Sequence, residues 1–268
     1  MTLFESLRTV LTEAGSDFLH LAKATYFVEN QELIAPFGKI RPGEDLFAAA
    51  ARVERTQLTP MYQRLATAIR AIDPKKWVFI EPPNVASLGI ATSLGAIEGG
   101  NVAFYPHMYD ANIEFATYTP GGVQEFDSSF FDGYASVIDA YPDRYHVPVL
   151  FGEWGLAKPE RPGMDEFVKR SLALMDRHGS GWTVFTGCRG SSYCVWDADG
   201  NDRPNIGQTT APWARAVAGA PVRHAWDPTT RTLVVAFDDS SATGTTDLVV
   251  PGARVYPDGW QVVSADAP

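Results

Sequence analysis

Apolar residues early in the chain recur at helical spacing. Leu3, Phe4, Leu7, Val10 and Leu11, then Phe18, Leu19, Ala22 and Tyr26 beyond Gly15, predict helix over residues 1–29. A short apolar segment, Glu32-Leu33-Ile34, runs into Pro36-Phe37-Gly38. Thr59-Pro60 reads as a helix start, with threonine as the cap and proline at the first helical position. Tyr62, Leu65, Ala66 and Ile69 supply its inner face, and Asp73-Pro74 its stop. The period then changes. Trp77–Ile80, Val102–Tyr105, Val147–Phe151 and Trp182–Phe185 are continuously apolar, as strands buried on both faces are. Before the last of them, Asp165 opens a helix with Phe167, Val168, Leu172 and Met175 inward, closing at His178-Gly179.

The first three of these strands end abruptly in polar and aromatic clusters. These are Glu81-Pro82-Pro83, Pro106-His107-Met108-Tyr109-Asp110 and Gly152-Glu153-Trp154-Gly155. Alternating strands and helices argue for a parallel sheet, and such clusters at strand C-termini argue for a site in the βα loops. No glycine-rich phosphate loop follows any strand, so an α/β barrel is preferred to a doubly wound sheet. From about Ala220 the spacing becomes all-β. His224–Trp226 and Thr232–Phe237, with Asp227-Pro228-Thr229-Thr230 between them, predict a hairpin, with strands at Thr246–Val250 and Trp260–Val263 after it. Pro212–Pro221 is the expected junction, dividing the chain into 1–215 and 216–268.

The length sharpens this picture. The chain has 268 residues, while an eight-fold α/β barrel takes roughly 250 by itself. A complete barrel plus a β module therefore does not fit. With 22 Lys+Arg against 32 Asp+Glu the net charge is −10, the wrong sign for a phosphate-binding surface, so no nucleic-acid partner is expected. No run of ~18 apolar residues predicts a membrane span, and the N-terminus shows no signal-peptide pattern. The two cysteines, Cys188 and Cys194 in CRGSSYC, are either unrelated thiols or a loop disulfide, which would point to an oxidising compartment. Five scattered histidines give no metal-ligand spacing, so no metal site and no cofactor is expected. Asp197-Ala198-Asp199-Gly200-Asn201-Asp202 lacks the order of a calcium loop and reads as a polar turn.

Glu153 is the strongest chemical candidate. Gly152 and Gly155 flank it, so backbone and ligand can approach closely, and Trp154 offers an aromatic surface beside it. A carboxylate there can attack an anomeric carbon; the plainer alternative is a strand-end carboxylate paired with an arginine. His107 and Tyr109, two apart, point the same way in an extended chain and can orient Glu153 or a substrate hydroxyl. Trp182 and Phe185 can floor a sugar site or simply fill a core.

At these residues the chain resembles glycoside hydrolase family 5, in its endoglycoceramidase-like branch. The matching stretches are LTPMYQRLATAIRAIDPKKWVFIEPP, AFYPHMYD, VPVLFGEWG and GWTVF with SSYCVWD; the tail resembles the start of the β-sandwich behind that barrel. The likeness runs from about residue 31 to the end. It implies a partial (β/α)8 barrel, strands four to eight, with a small antiparallel β tail. It also implies a retaining mechanism with two carboxyls ~5–5.5 Å apart. Glu153 takes the nucleophile's place, His107 and Tyr109 those of the sixth-strand pair, and Trp182 or Phe185 that of the eighth-strand aromatic. The acid/base departs from the pattern: Ala35 stands where the family has glutamate. Glu81, at the next strand end, is a conceivable substitute, and Glu32 a poor one.

Three outcomes are then expected. The chain is a hydrolase by descent, acting on the link between a glycan and a lipid aglycone. Or it is a non-catalytic remnant that binds glycans or glycolipids. Or it is a fragment of a longer reading frame, since only ~30 residues precede the fourth strand, and its open barrel edges favour self-association. Relatives in the family are generally exported, which leaves the compartment unknown.

Overall fold

The computed structural model describes residues 46–83, 86, 90–110, 113, 129–178, 181–220, 222–240 and 243–263. The helices expected over 1–29, the Glu32–Gly38 segment, Glu32 and Ala35 lie outside the described residues. The chain forms two compact units, one of residues 1–83 and 92–103, the other of residues 84–91 and 104–268. The expected division at 215/216 falls inside the second.

In the first unit, α1 (Leu46–Val53) runs through a π-helical turn (Glu54–Leu58) into α2 (Thr59–Ile72). Thr59 is therefore not a cap opening a free helix. Pro60 has no N–H for the carbonyl four residues back, and the widened turn accommodates the gap. The Thr59 N–H and hydroxyl both donate to the Glu54 carbonyl, the hydroxyl at 2.8 Å. α2 ends at Asp73, as expected. β1 (Val78–Ile80) follows and joins β2 (Val102–Phe104), with the Val78 N–H donating to the Asn101 carbonyl at 2.8 Å. Val78 and Ile80 are buried but Phe79 is 46 % exposed. Among the described residues this strand is thus covered on one face, because alternate side chains point to opposite sides.

Residue 54 puts a carboxylate into this unit's interior. The Glu54 side chain accepts from the Thr92 hydroxyl at 2.8 Å and from the Ser93 N–H, pinning residues 92–95 to the helix pair. Burial raises its pKa above the ordinary value of 4.5, outweighing the lowering by Ser93, Thr92 and Arg55. A raised carboxyl keeps its proton in the folded state after the unfolded chain has released it. Its contribution is therefore greatest in acid and declines as pH rises from 4.5 through the folded pKa. Glu54→Gln should remove that slope. In thermal melts from pH 4.5 to 7, the melting temperature of the variant minus that of wild type should grow with pH. A difference that shrinks would contradict this account.

The second unit carries a three-stranded parallel sheet. β3 (His107–Met108) pairs with β4 (Phe151–Trp154), and β4 with β5 (Trp182–Val184). β4 begins later than the pattern suggests, since Pro148 lacks a donor. Its carbonyl accepts from the Phe104 N–H at 2.9 Å, and only Val149 bridges to Phe104. α3 (Ser129–Tyr145) is not among the elements expected from the pattern, because Gly133 and Pro142 both signal a break. Pro142 is tolerated in its last turn, where its own carbonyl still accepts from the His146 N–H. α4 (Met164–His178) lies where expected. Phe104, the last residue of β2, belongs to this unit, and its ring joins an aromatic core with the helices. Phe104 stacks on Tyr141 at 4.9 Å, Phe130 on Tyr134 at 5.3 Å, and Phe131 lies 5.6 Å from Phe167. Burial pushes the Tyr134 and Tyr141 hydroxyls well above their ordinary pKa.

Beyond Asp197–Asp202, which is the expected polar turn with Asn201 donating to the Asp197 carboxylate, the tail begins. β6 (Trp213–Ala216) pairs antiparallel with β9 (Asp247–Val249), and β7 (Arg223–Asp227) with β8 (Thr232–Ala236). β6 thus joins the tail although it starts before residue 216. The Asp227 carboxylate caps the hairpin turn, accepting from the Thr230 hydroxyl and the Thr229 N–H. α5 (Gly252–Val255) is the last helix among the described residues. The strand expected at Trp260–Val263 is not formed. A strand needs a neighbour's hydrogen bonds, none of the described segments pairs with it, and Val262 and Val263 are largely exposed. β7 packs on α4, where His224 Nδ1 lies 3.6 Å from Asp176 Oδ1.

Candidate active site

The site is built by strand register. In the parallel pair of β3 and β4, His107 stands opposite Glu153 and Met108 opposite Trp154. Side chains alternate, so His107 and Glu153 share one face and Met108 and Trp154 share the other. His107 Nδ1 lies 3.8 Å from Glu153 Oε1. Tyr109, one pleat on, donates its hydroxyl to the same oxygen at 2.8 Å. The Tyr134 hydroxyl donates to the His107 carbonyl at 2.7 Å, so α3 anchors the backbone that carries the pair. The His107 and Glu153 side chains keep 15 % and 23 % of their surface open, enough for a ligand to reach the carboxylate.

The flanking glycines are sterically required. A Cβ on Gly152 would strike the Tyr105 ring, and one on Gly155 would strike the Phe185 carbonyl oxygen. β4 and the end of β5 therefore approach more closely than any other residue would allow.

The other candidates separate. Phe185 immediately follows β5, is 41 % exposed, and begins a cis peptide to Thr186. Trp182 opens β5 opposite Phe151, at the other end of the strand from Phe185. Trp154 is fully buried with its ring edge-on to Trp182 at 5.5 Å. It offers no open surface, because it alternates with Glu153 and faces the core. Glu81 belongs to the first unit, just past β1, where its carbonyl accepts from the Tyr62 hydroxyl at 2.8 Å. Ala35 lies outside the described residues.

One neighbour was not anticipated. Tyr193 sits edge-on to Tyr109 at 6.2 Å and to Phe185 at 5.6 Å. It belongs to the loop that Cys188 and Cys194 close by a disulfide. The signal was present in CRGSSYC, where the aromatic directly precedes the second cysteine. Among the described residues, no group of three or more His, Cys, Asp or Glu is placed to hold a metal ion, and no helix is long and apolar enough to cross a membrane.

Comparison with known proteins decides the lineage. The family model Cellulase (glycosyl hydrolase family 5) matches residues 37–202, and the glycoside hydrolase family 5 C-terminal domain matches residues 212–267. The chain belongs to glycoside hydrolase family 5. Among solved structures it is similar to the endo-glycoceramidase II of Rhodococcus sp. in complex with ganglioside GM3. That likeness has 22 % identity and a TM-score of 0.68, covering 78 % of this chain and 47 % of that one. A cellobiose-like imidazole complex of the same enzyme gives 20 % identity and a TM-score of 0.65, covering 86 % and 57 %. The chain thus spans about half the length of these structures. No curated protein matches it. The fold is the family's: part of a (β/α)8 barrel, with the parallel strands and helices above, followed by a small antiparallel β module.

Proposed function

We propose that this member of family 5 is a retaining β-glycosidase of the endoglycoceramidase-like branch, cleaving a β-glycosidic bond between a glycan and a lipid aglycone. The Tyr109–Glu153 hydrogen bond carries the reading. It fixes one carboxylate oxygen at the C-terminal ends of parallel strands, where barrel enzymes do chemistry. With Oε1 held by Tyr109 and faced by His107, Oε2 is the oxygen that attacks the anomeric carbon. The glycosyl C–O bond to the aglycone breaks as a glycosyl ester of Glu153 forms, and with Ala35 at the donor position the departing oxygen takes its proton from water. Water then cleaves that ester with a second inversion, releasing a β-configured sugar. Phe185, at the end of β5, gives the sugar an apolar face to lie against. The Cys188–Cys194 bond fits an oxidising compartment.

A second reading rests on Ala35, which stands where the resemblance places the proton donor. On that reading the site is a non-catalytic remnant, whose retained aromatics bind a glycan or glycolipid while Glu153 no longer acts as a nucleophile.

One substrate separates the two readings. Related structures include a ganglioside GM3 complex and a lactosyl–enzyme intermediate, so the probe is a dinitrophenyl β-lactoside, whose phenolate departs without protonation. The hydrolase reading expects phenolate release with β-lactose as the first anomer in proton NMR. An α-first product overturns retention. No release, with lactose still bound in calorimetry, selects the binding remnant; neither release nor binding overturns both.

A further inference from the structure

We infer that Tyr193 is a substrate-contacting residue of this site, an aromatic wall for the glycan, held there by the Cys188–Cys194 bond and Arg203. The inference rests on the glycan-site reading above and adds a loop that the reading does not use.

The position of the ring follows from the ends of three strands. Tyr193 meets Tyr109 beyond β3 and Phe185 beyond β5, and its Cδ1 would lie 3.5 Å from a Cβ on Gly155 beyond β4. A side chain touching all three strand ends borders whatever Glu153 faces. Both ring contacts are T-shaped, and the Tyr193 ring is only partly buried, so part of it is open beside Glu153's surroundings.

The loop is built to hold that ring. The Thr186 N–H, next to Phe185, donates to the Tyr193 carbonyl at 2.9 Å, and the Val195 N–H returns to the Thr186 carbonyl at 3.2 Å. The disulfide closes the loop one residue beyond the tyrosine. Arg203 gathers three carbonyls of the loop. Its Nη1 donates to Ser191 at 3.0 Å, to Cys194 at 3.3 Å and to Ser192. Its other nitrogens bind Glu160 at 2.6 and 3.0 Å. One guanidinium therefore fastens the tyrosine loop to the loop after β4. Fixing these backbone groups in advance removes the ordering cost from ligand binding. With the bridge open, that cost returns to the binding step and the ring loses its place.

The test uses the full chain and the dinitrophenyl β-lactoside. Tyr193→Ala should raise KM about ten-fold, the value of one good aromatic contact, with kcat changed far less. Tyr193→Phe, which keeps the ring, should stay within about two-fold of wild type. The Cys188→Ser/Cys194→Ser double variant should show the alanine variant's KM. Dithiothreitol should raise KM of wild type and leave that of the double variant alone. It opens the bridge by thiol–disulfide exchange, yielding two protein thiols and its own cyclic disulfide. Circular dichroism checks folding, and Tyr193→Leu replaces the alanine variant if that fails to fold. A wild-type KM in Tyr193→Ala or Tyr193→Leu overturns the contact. A wild-type KM in the double-serine variant overturns the role of the bridge. If wild type does not turn the probe over, lactose affinity by calorimetry reads the same comparison. No lactose binding removes the glycan-site reading and this inference together, whereas binding that is indifferent to residue 193 removes this inference alone.

Discussion

Glu153→Gln is expected to cut release of dinitrophenolate from the β-lactoside by ~10⁴-fold or more, the scale on which loss of a central catalytic group is measured. Glutamine keeps the shape and can still accept from the Tyr109 hydroxyl, whose bond to Oε1 is 2.8 Å long, but it has no charge with which to attack. The melting temperature should therefore move little while kcat collapses. Glu153→Ala extends the argument, because it leaves room for a small external nucleophile. Azide should restore phenolate release in that variant, bonding to the anomeric carbon from the vacated side to give the α-lactosyl azide. Undiminished turnover in Glu153→Gln would remove residue 153 from the chemistry and leave the carboxylate as a strand-end ligand of Tyr109. An azide product of β configuration would place the nucleophile on the opposite face of the sugar.

Ala35→Glu is expected to act in the opposite direction, and on a different substrate. The aryl probe needs no proton donor to form the glycosyl ester, so its kcat/KM, which reports that step, should hardly change. A lactoside with an alkyl aglycone needs one, and restoring a placed carboxylic acid should speed its cleavage by ~10²–10⁴-fold. The gain should vanish in the Ala35→Glu/Glu153→Gln double variant, because a donor has nothing to assist once the nucleophile is gone. An Ala35→Glu chain that is folded and yet no faster on the alkyl lactoside would show that another group protonates the leaving oxygen, or that residue 35 is not the donor's position.

Much of this site was legible in the chain itself. The run VPVLFGEWG puts a carboxylate at the end of an apolar strand, and HMY puts two polar rings one pleat apart; register then brings both to one oxygen. What was not legible follows from how side chains alternate and how loops close. Trp154 looks from its position like a platform for Glu153, but neighbours on a strand face opposite ways, and it is buried. Trp182 and Phe185 are equivalent as aromatics in one run. Only the pairing of Trp182 with Phe151 shows that it lies at the far end of the strand. α3 was hidden by Gly133 and Pro142, although Phe130, Phe131, Tyr134, Ile138 and Tyr141 hold helical spacing through both. Tyr193 could not be placed from spacing, because a disulfide-closed loop follows no period. The strand expected at Trp260–Val263 failed for the converse reason: alternation makes a segment able to pair and does not supply its neighbour.

The seat of the β7–β8 hairpin on α4 bears on modularity. α4 holds Phe167 against α3 on one side and offers Asp176 to His224 on the other. The helix that packs on α3 is thus also the floor of the β7–β8 hairpin. A module attached in this way is not interchangeable cargo like a tethered binding domain. Its sequence can drift only in step with one barrel helix, and a graft onto another scaffold must carry that helix with it.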